Sequence, residues 1–348
     1  MGAYEFELSA AAGKLVRESL RVKPGEVVAI TADTLSDEEV VRATAAAVLD
    51  SGGKPLVLKV ATPRGVGKAA DPDLPVEALA RAVASSQAWV EYNLQWLLYS
   101  GVYEHATAAN PELRYLCLCG MTADLMVRAV GRVDTAALRR FLEKVRDLTS
   151  RATSVRITTP AGTEVSFQNV GPDHFISCDW GDASTPGVWM LAGQVGWSPR
   201  LETVEGTIVF DGSLCPPLGI LKAPISLEIR EGRIVSIAGG PQAEEFRAWL
   251  ESFRDPNMLR LGHVCYGFNP GARLTGNVLE DERVWGCTEW GIGYMSPIDV
   301  PPDGIRAASH CDGICLNSSV WLDGVQILDR GRVVGPELED LGRAARGG

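Results

Sequence analysis

Histidine is scarce in this 348-residue chain: His105, His174, His263 and His310 are its four. A metal or acid–base site built on imidazole therefore has few places to be. No Cys-x-x-Cys pair occurs among the eight cysteines, which excludes a zinc ribbon. A large chain without that spacing reads as carrying free buried thiols rather than a disulfide framework. No Walker A sequence is present. Gly65-Val66-Gly67-Lys68-Ala69-Ala70 fits a loose dinucleotide fingerprint. But Asp71-Pro72-Asp73 follows at once and leaves no long helix to hold a pyrophosphate, so the segment reads as a surface loop. Basic charge is in deficit: 33 Lys and Arg against 44 Asp and Glu give a net charge of -11. That argues against nucleic acid or an anionic membrane as partner. There is no apolar run of about 20 residues to span a bilayer. Met1–Leu20 reads as an amphipathic helix, without the basic start and apolar core of a signal peptide, which points to the cytoplasm.

With 46% hydrophobic and 22% charged residues, the composition suits a soluble protein with a sizeable core, and the length suggests two domains. Over residues 1–150 strand and helix alternate, the pattern of a parallel α/β sheet. Glu26–Ile30, Pro55–Val60, Ala88–Tyr92 and Arg114–Leu118 are the expected strands. A helix opens near Ser36-Asp37 and stops at Gly52-Gly53; another is capped by Asp134. From residue 151 to 348 the texture turns to strands and tight turns, interrupted by a helix over Gln242–Phe253. The expected architecture is an N-terminal parallel α/β domain followed by a β-rich α+β metal-binding domain.

The metal expectation begins with His310-Cys311-Asp312. On a strand, side chains alternate, so His310 and Asp312 share one face. A second histidine from a neighbouring element, His263, would complete the two-His, one-carboxylate set that suits mononuclear Fe(II) with open positions. The plainer alternative is a structural hydrogen bond between Asp312 and a buried histidine. Asp281-Glu282-Arg283 reads as a solvated charged turn or a salt bridge.

Several segments of the second half resemble, in order, those of the metallo-aminopeptidase family that includes aminopeptidase T. They include Gly193-Gln194-Val195, Gly267-Phe268-Asn269-Pro270, Leu279-Glu280-Asp281-Glu282-Arg283, Gly291-Ile292-Gly293 and His310-Cys311-Asp312. That family builds a two-metal site from two Glu, two His and an Asp. This chain has Gln194, His263 and Glu289 at three of those positions, and Gln194 is a poor bridging ligand. The remaining set, His263, His310 and Asp312, is similar to that of the 2,5-dihydroxypyridine 5,6-dioxygenase branch of the same superfamily. The resemblance implies one Fe(II), a hydroxylated N-heteroaromatic substrate opened by O2, and a homo-oligomer. It also implies that His105 is the base acting on the substrate hydroxyl. Glu289, Tyr294, Ser296, His174 and Gln194 are candidates for substrate contacts. The alternative is a metallo-aminopeptidase or amidase-type hydrolase.

Overall fold

The computed structural model describes residues 4–171, 175–297, 299–300 and 302–347. The chain divides into two compact units, residues 1–133 with 181–192, and residues 134–180 with 193–348.

The first unit is built on a five-stranded sheet whose neighbours all run parallel. Four of its strands, Val27–Asp33, Lys54–Val60, Ala88–Glu91 and Arg114–Cys117, are the expected ones. Every residue of Ala88–Glu91 and Arg114–Cys117 is buried, as apolar runs in a sheet covered on both faces should be. The fifth strand, Gly187–Met190, arrives from far along the chain and pairs with Arg114–Cys117. Local sequence gave no sign of it. Helix Glu38–Asp50 is capped by the Asp37 carboxylate, which accepts from the Glu39 N–H, and buries Val40, Val41, Thr44, Ala47 and Val48. The stretch expected to be a surface loop instead winds into a short helix, Gly67–Asp73, with Val66, Gly67 and Ala70 buried. Apolar side chains at those positions gain more from burial than a polar loop would.

The second unit pairs two antiparallel sheets, one of eight strands and one of seven. The expected hairpin Ser154–Thr158 and Glu164–Gln168 lies in the eight-stranded sheet. The sheets pack through large aromatic side chains. Phe167 of the eight-stranded sheet meets Trp290 of the seven-stranded one edge to face at 5.7 Å, and Trp197 of that same sheet at 6.3 Å. Phe210 lies so close to Gly313 that a Cβ there would come within 2.3 Å of the ring. Each such buried side chain contributes roughly 1.5–3 kcal/mol by leaving water. Helix Thr135–Arg151 packs in this unit, with Phe141 against Phe268 and Trp285. All eight cysteines are free thiols.

The middle of the seven-stranded sheet carries the site. Strand Thr288–Met295 lies between Leu261–Gly267 and Ile305–Cys315, antiparallel to both. Its sequence, TEWGIGYM, alternates side chains that fill the core with two glycines.

Candidate metal centre

Register fixes the geometry. Gly291 pairs with His263 on one side and Asp312 on the other, and Gly293 pairs with His310. These residues project from one face, while Val264, Trp290 and Gly313 form the corresponding row on the packed face. A side chain at 291 would fill the space between the ligands. An ideal Cβ there would stand 2.2 Å from His263 Cε1 and 2.7 Å from its Nε2. Glycine at 291 is what lets His263 lean across the middle strand toward Asp312.

His263, His310 and Asp312 each offer one ligand atom, and the three atoms lie within 4.8 Å of one another. The His310 Nε2 is 2.9 Å from Asp312 Oδ1, and His263 Nε2 is 3.6 Å from the same oxygen. The His310 Nδ1–H donates to the Tyr294 carbonyl at 2.8 Å. That bond fixes the tautomer and frees the Nε2 lone pair, the usual arrangement behind a metal-ligating histidine. The Glu289 carboxylate faces His263 Nε2 with both oxygens at 3.0 Å and is wholly buried.

Charge is concentrated accordingly. Burial raises the Asp312 carboxyl, but the imidazoles of His310 and His263 outweigh it and hold the group below its ordinary range. Burial would depress His263; Glu289 and Asp312 overcome this and push it up to about 10. Glu289 is raised by burial and by Asp312, against the pull of His263. The donor set, its convergence and the room above Gly291 fit one metal ion with open coordination positions.

The other expected site residues fall elsewhere. Gln194 is buried, but its carboxamide is already engaged: it donates to Glu282 at 3.1 Å and accepts from Arg283 at 2.8 Å. Tyr294 contributes its backbone carbonyl to His310. The Ser296 hydroxyl donates to Asp299 at 2.7 Å. His105 sits half-exposed on helix Gly101–Ala109 in the first unit, with its Nδ1 3.0 Å from Glu77. His174 lies outside the described residues.

Asp281-Glu282-Arg283 corrects the expectation of a solvated turn. All three are buried, and Arg283 donates to Glu282 at 2.8 Å and lies 3.5 Å from Asp179. Burial, then repulsion from Asp312, raises the Glu282 carboxyl despite Arg283. Glu282 thus belongs to the electrostatics of the centre, which sequence reading missed. The available signal was Asn277, which caps a turn of helix at Val278–Asp281 and folds the charged run inward.

The family model described as NicX, 2,5-dihydroxypyridine 5,6-dioxygenase, matches residues 12–292. The match ends before His310 and Asp312. A 2,5-dihydroxypyridine 5,6-dioxygenase from Pseudomonas putida KT2440 is 28% identical over 209 residues, which span 57% of this chain and 59% of that protein. The aligned stretch therefore covers less than two thirds of that relative's length. Among solved structures, 2,5-dihydroxypyridine dioxygenase from the same strain superposes with a TM-score of 0.77 at 22% identity, over 95% of this chain and 98% of that one. AmpT from Thermus thermophilus superposes with a TM-score of 0.69 at 18% identity, over 96% of this chain and 100% of that one. At these identities the structural likenesses establish the fold.

Proposed function

The chain belongs to the 2,5-dihydroxypyridine 5,6-dioxygenase family, and from that premise we propose that it is a non-haem Fe(II) extradiol-type dioxygenase. Its substrate is a hydroxylated pyridine, read here as 2,5-dihydroxypyridine, opened by O2 across the 5,6 bond to N-formylmaleamate. Both oxygen atoms enter the product, so no further reductant is needed. The observation that carries this reading is the convergence of His263, His310 and Asp312 around the space left by Gly291.

When bound, Fe(II) would supply adjacent open positions for the ring and for O2. The protein's own part is positioning and proton control. His263 and His310 would present Nε2, and Asp312 one carboxylate oxygen, from strands already held in register by the backbone ladder. The Tyr294 carbonyl keeps the His310 ring turned toward the centre. His105 is the proposed base that takes the proton of the ring hydroxyl, a role suited to an imidazole near neutral pH. Glu289, Tyr294, Ser296 and His174 are proposed to contact the substrate. A cytoplasmic location and a homo-oligomeric assembly complete the proposal; no described helix is long and apolar enough to cross a membrane.

A two-metal form of the hydrolase alternative would need a bridging carboxylate where Gln194 stands, whereas a one-metal hydrolase would not. That carboxamide is neutral and held by Glu282 and Arg283, which favours the single-metal reading. The test is oxygen uptake by protein reconstituted anaerobically with Fe(II), on addition of 2,5-dihydroxypyridine. Stoichiometric uptake with loss of the ring absorbance is expected. No uptake by protein holding stoichiometric iron, together with peptide hydrolysis under Zn(II) or Co(II), would overturn the proposal.

A further inference from the structure

A second set of donor atoms lies on the same sheet face, one row along from the first. His263, Cys265 and Glu289 each place a ligand atom within 4.8 Å of the other two. Cys265 and Glu289 are direct cross-strand partners. On its other side Cys265 pairs with Gly196, where an added Cβ would come within 2.5 Å of the sulfur. The thiol therefore occupies room that a glycine provides, as His263 does over Gly291. Cys265 is 5% exposed and Glu289 fully buried, so neither is a surface group that happens to lie near a histidine.

We propose that His263, Cys265 and Glu289 form a second, thiolate-containing cation position that takes a thiophilic divalent ion such as Zn(II) or Cd(II). We further infer that it competes with the His263–His310–Asp312 set. One nitrogen, one sulfur and one carboxylate oxygen, with a water as fourth ligand, are a tetrahedral donor set. Thiolate selects soft ions over the harder ions that carboxylate and water prefer. A tetrahedral ion with bonds of about 2.0–2.3 Å holds its ligand atoms roughly 3.3–3.8 Å apart, so small side-chain movements close the set. Asp312, with Oδ1 3.6 Å from His263 Nε2, adds negative charge that attracts the ion. Binding would release the thiol proton.

Competition follows from one atom. His263 Nε2 faces Glu289 at 3.0 Å and Asp312 at 3.6 Å, whereas its Nδ1 lies 3.3 Å from the Met295 sulfur. A ring nitrogen has a single lone pair for a metal, so Nε2 serves one ion at a time. An ion held by Cys265 and Glu289 withdraws His263 from the other set. None of this depends on which ring the enzyme opens, or on whether it opens one.

The experiment uses full-length protein loaded with Fe(II) under anaerobic, reducing conditions and titrated with Cd(II). The expected result is a cadmium–thiolate charge-transfer band in the ultraviolet, rising with one ion bound per chain, and release of iron in step. Cys265→Ser should lose the band and weaken Cd(II) binding on the order of 10–100-fold, a ligand mattering at least as much as the partners that orient ligands. His310→Ala should keep the band while failing to hold iron. If Cys265→Ser does not fold, Glu289→Gln, which keeps the side chain's shape, should show the same weakening. Three outcomes would each overturn the proposal: Cd(II) uptake without the band, a band unchanged by Cys265→Ser, or Cd(II) bound with all iron retained.

Discussion

Glu91 of the first compact unit and Asp312 of the second are both buried carboxylates, and their neighbours push them in opposite directions. In the first unit, Glu91 is fully buried at the end of a parallel strand and surrounded by uncharged donors: the Leu97 N–H at 2.5 Å and the Tyr115 hydroxyl. Burial dominates, and its pKa rises to about 7. Asp33, equally buried, accepts from the N–H groups of Leu35, Leu94 and Gln95. In the second unit, Asp312 is buried to a similar degree but faces two imidazoles, and it stays ionised below its ordinary range. Burial alone therefore does not decide what an acid does. Glu91, met by neutral donors, is pushed toward holding its proton, whereas Asp312, met by two imidazoles, is held ionised.

Removing an imidazole is the strongest way to break this contrast. His310→Ala should bring bound iron to background and abolish oxygen uptake, since it deletes a ligand and leaves Asp312 with one partner; metal analysis beside an oxygen electrode checks both. His105→Ala comes next. Activity should fall by on the order of 100- to 10,000-fold, the usual worth of a general base, with iron content unchanged. Full activity in that variant would remove His105 from the mechanism. Arg283→Met should cost about 3–5 kcal/mol of unfolding free energy, because Glu282 and Asp179 lose their buried cation. Denaturant unfolding measures this, and a change near zero would mean that Glu282 is comfortably protonated without its partner.

The smallest effect lies in the first unit and is visible only against pH. The folded state holds the Glu91 proton up to about pH 7, while the unfolded chain releases it near the ordinary value of 4.5. Between those values the native state binds more protons, so stability falls as pH rises and levels off above about 7. The loss amounts to about 3 kcal/mol across that window. Glu91→Gln should flatten the profile; an unchanged slope would show that Glu91 ionises normally.

Much of the first unit was legible because its strands are short apolar runs and its helix Glu38–Asp50 carries a cap; Asp37 there, and Asp134 at the start of the second unit, accept where the sequence placed them. The strand Gly187–Met190 was not, because it pairs with a segment more than sixty residues away and nothing local marks it. The site divides the same way. His310-x-Asp312 was legible from strand alternation. The strand between the ligands was not, since Gly291 and Gly293 lower strand propensity. Those same glycines open the space into which the ligands lean. The charged run Asp281-Glu282-Arg283 looked like surface because charge is usually solvated; partners distant in sequence, Gln194 and Asp179, make its burial tolerable.

By itself, then, the sequence determined the α/β and β-rich halves, the free thiols, and a short supply of histidine that confined any imidazole site to His105, His174, His263 and His310. Periodicity and composition are local properties, and these conclusions need nothing more. Tertiary structure decided which atoms meet: that Glu289 faces His263, that Gln194 is held by Glu282 and Arg283, and that Cys265 stands beside Glu289 and His263. Those are matters of strand register, set by the pairing of segments distant in the chain, and a shift of one residue would turn every one of these side chains to the other face.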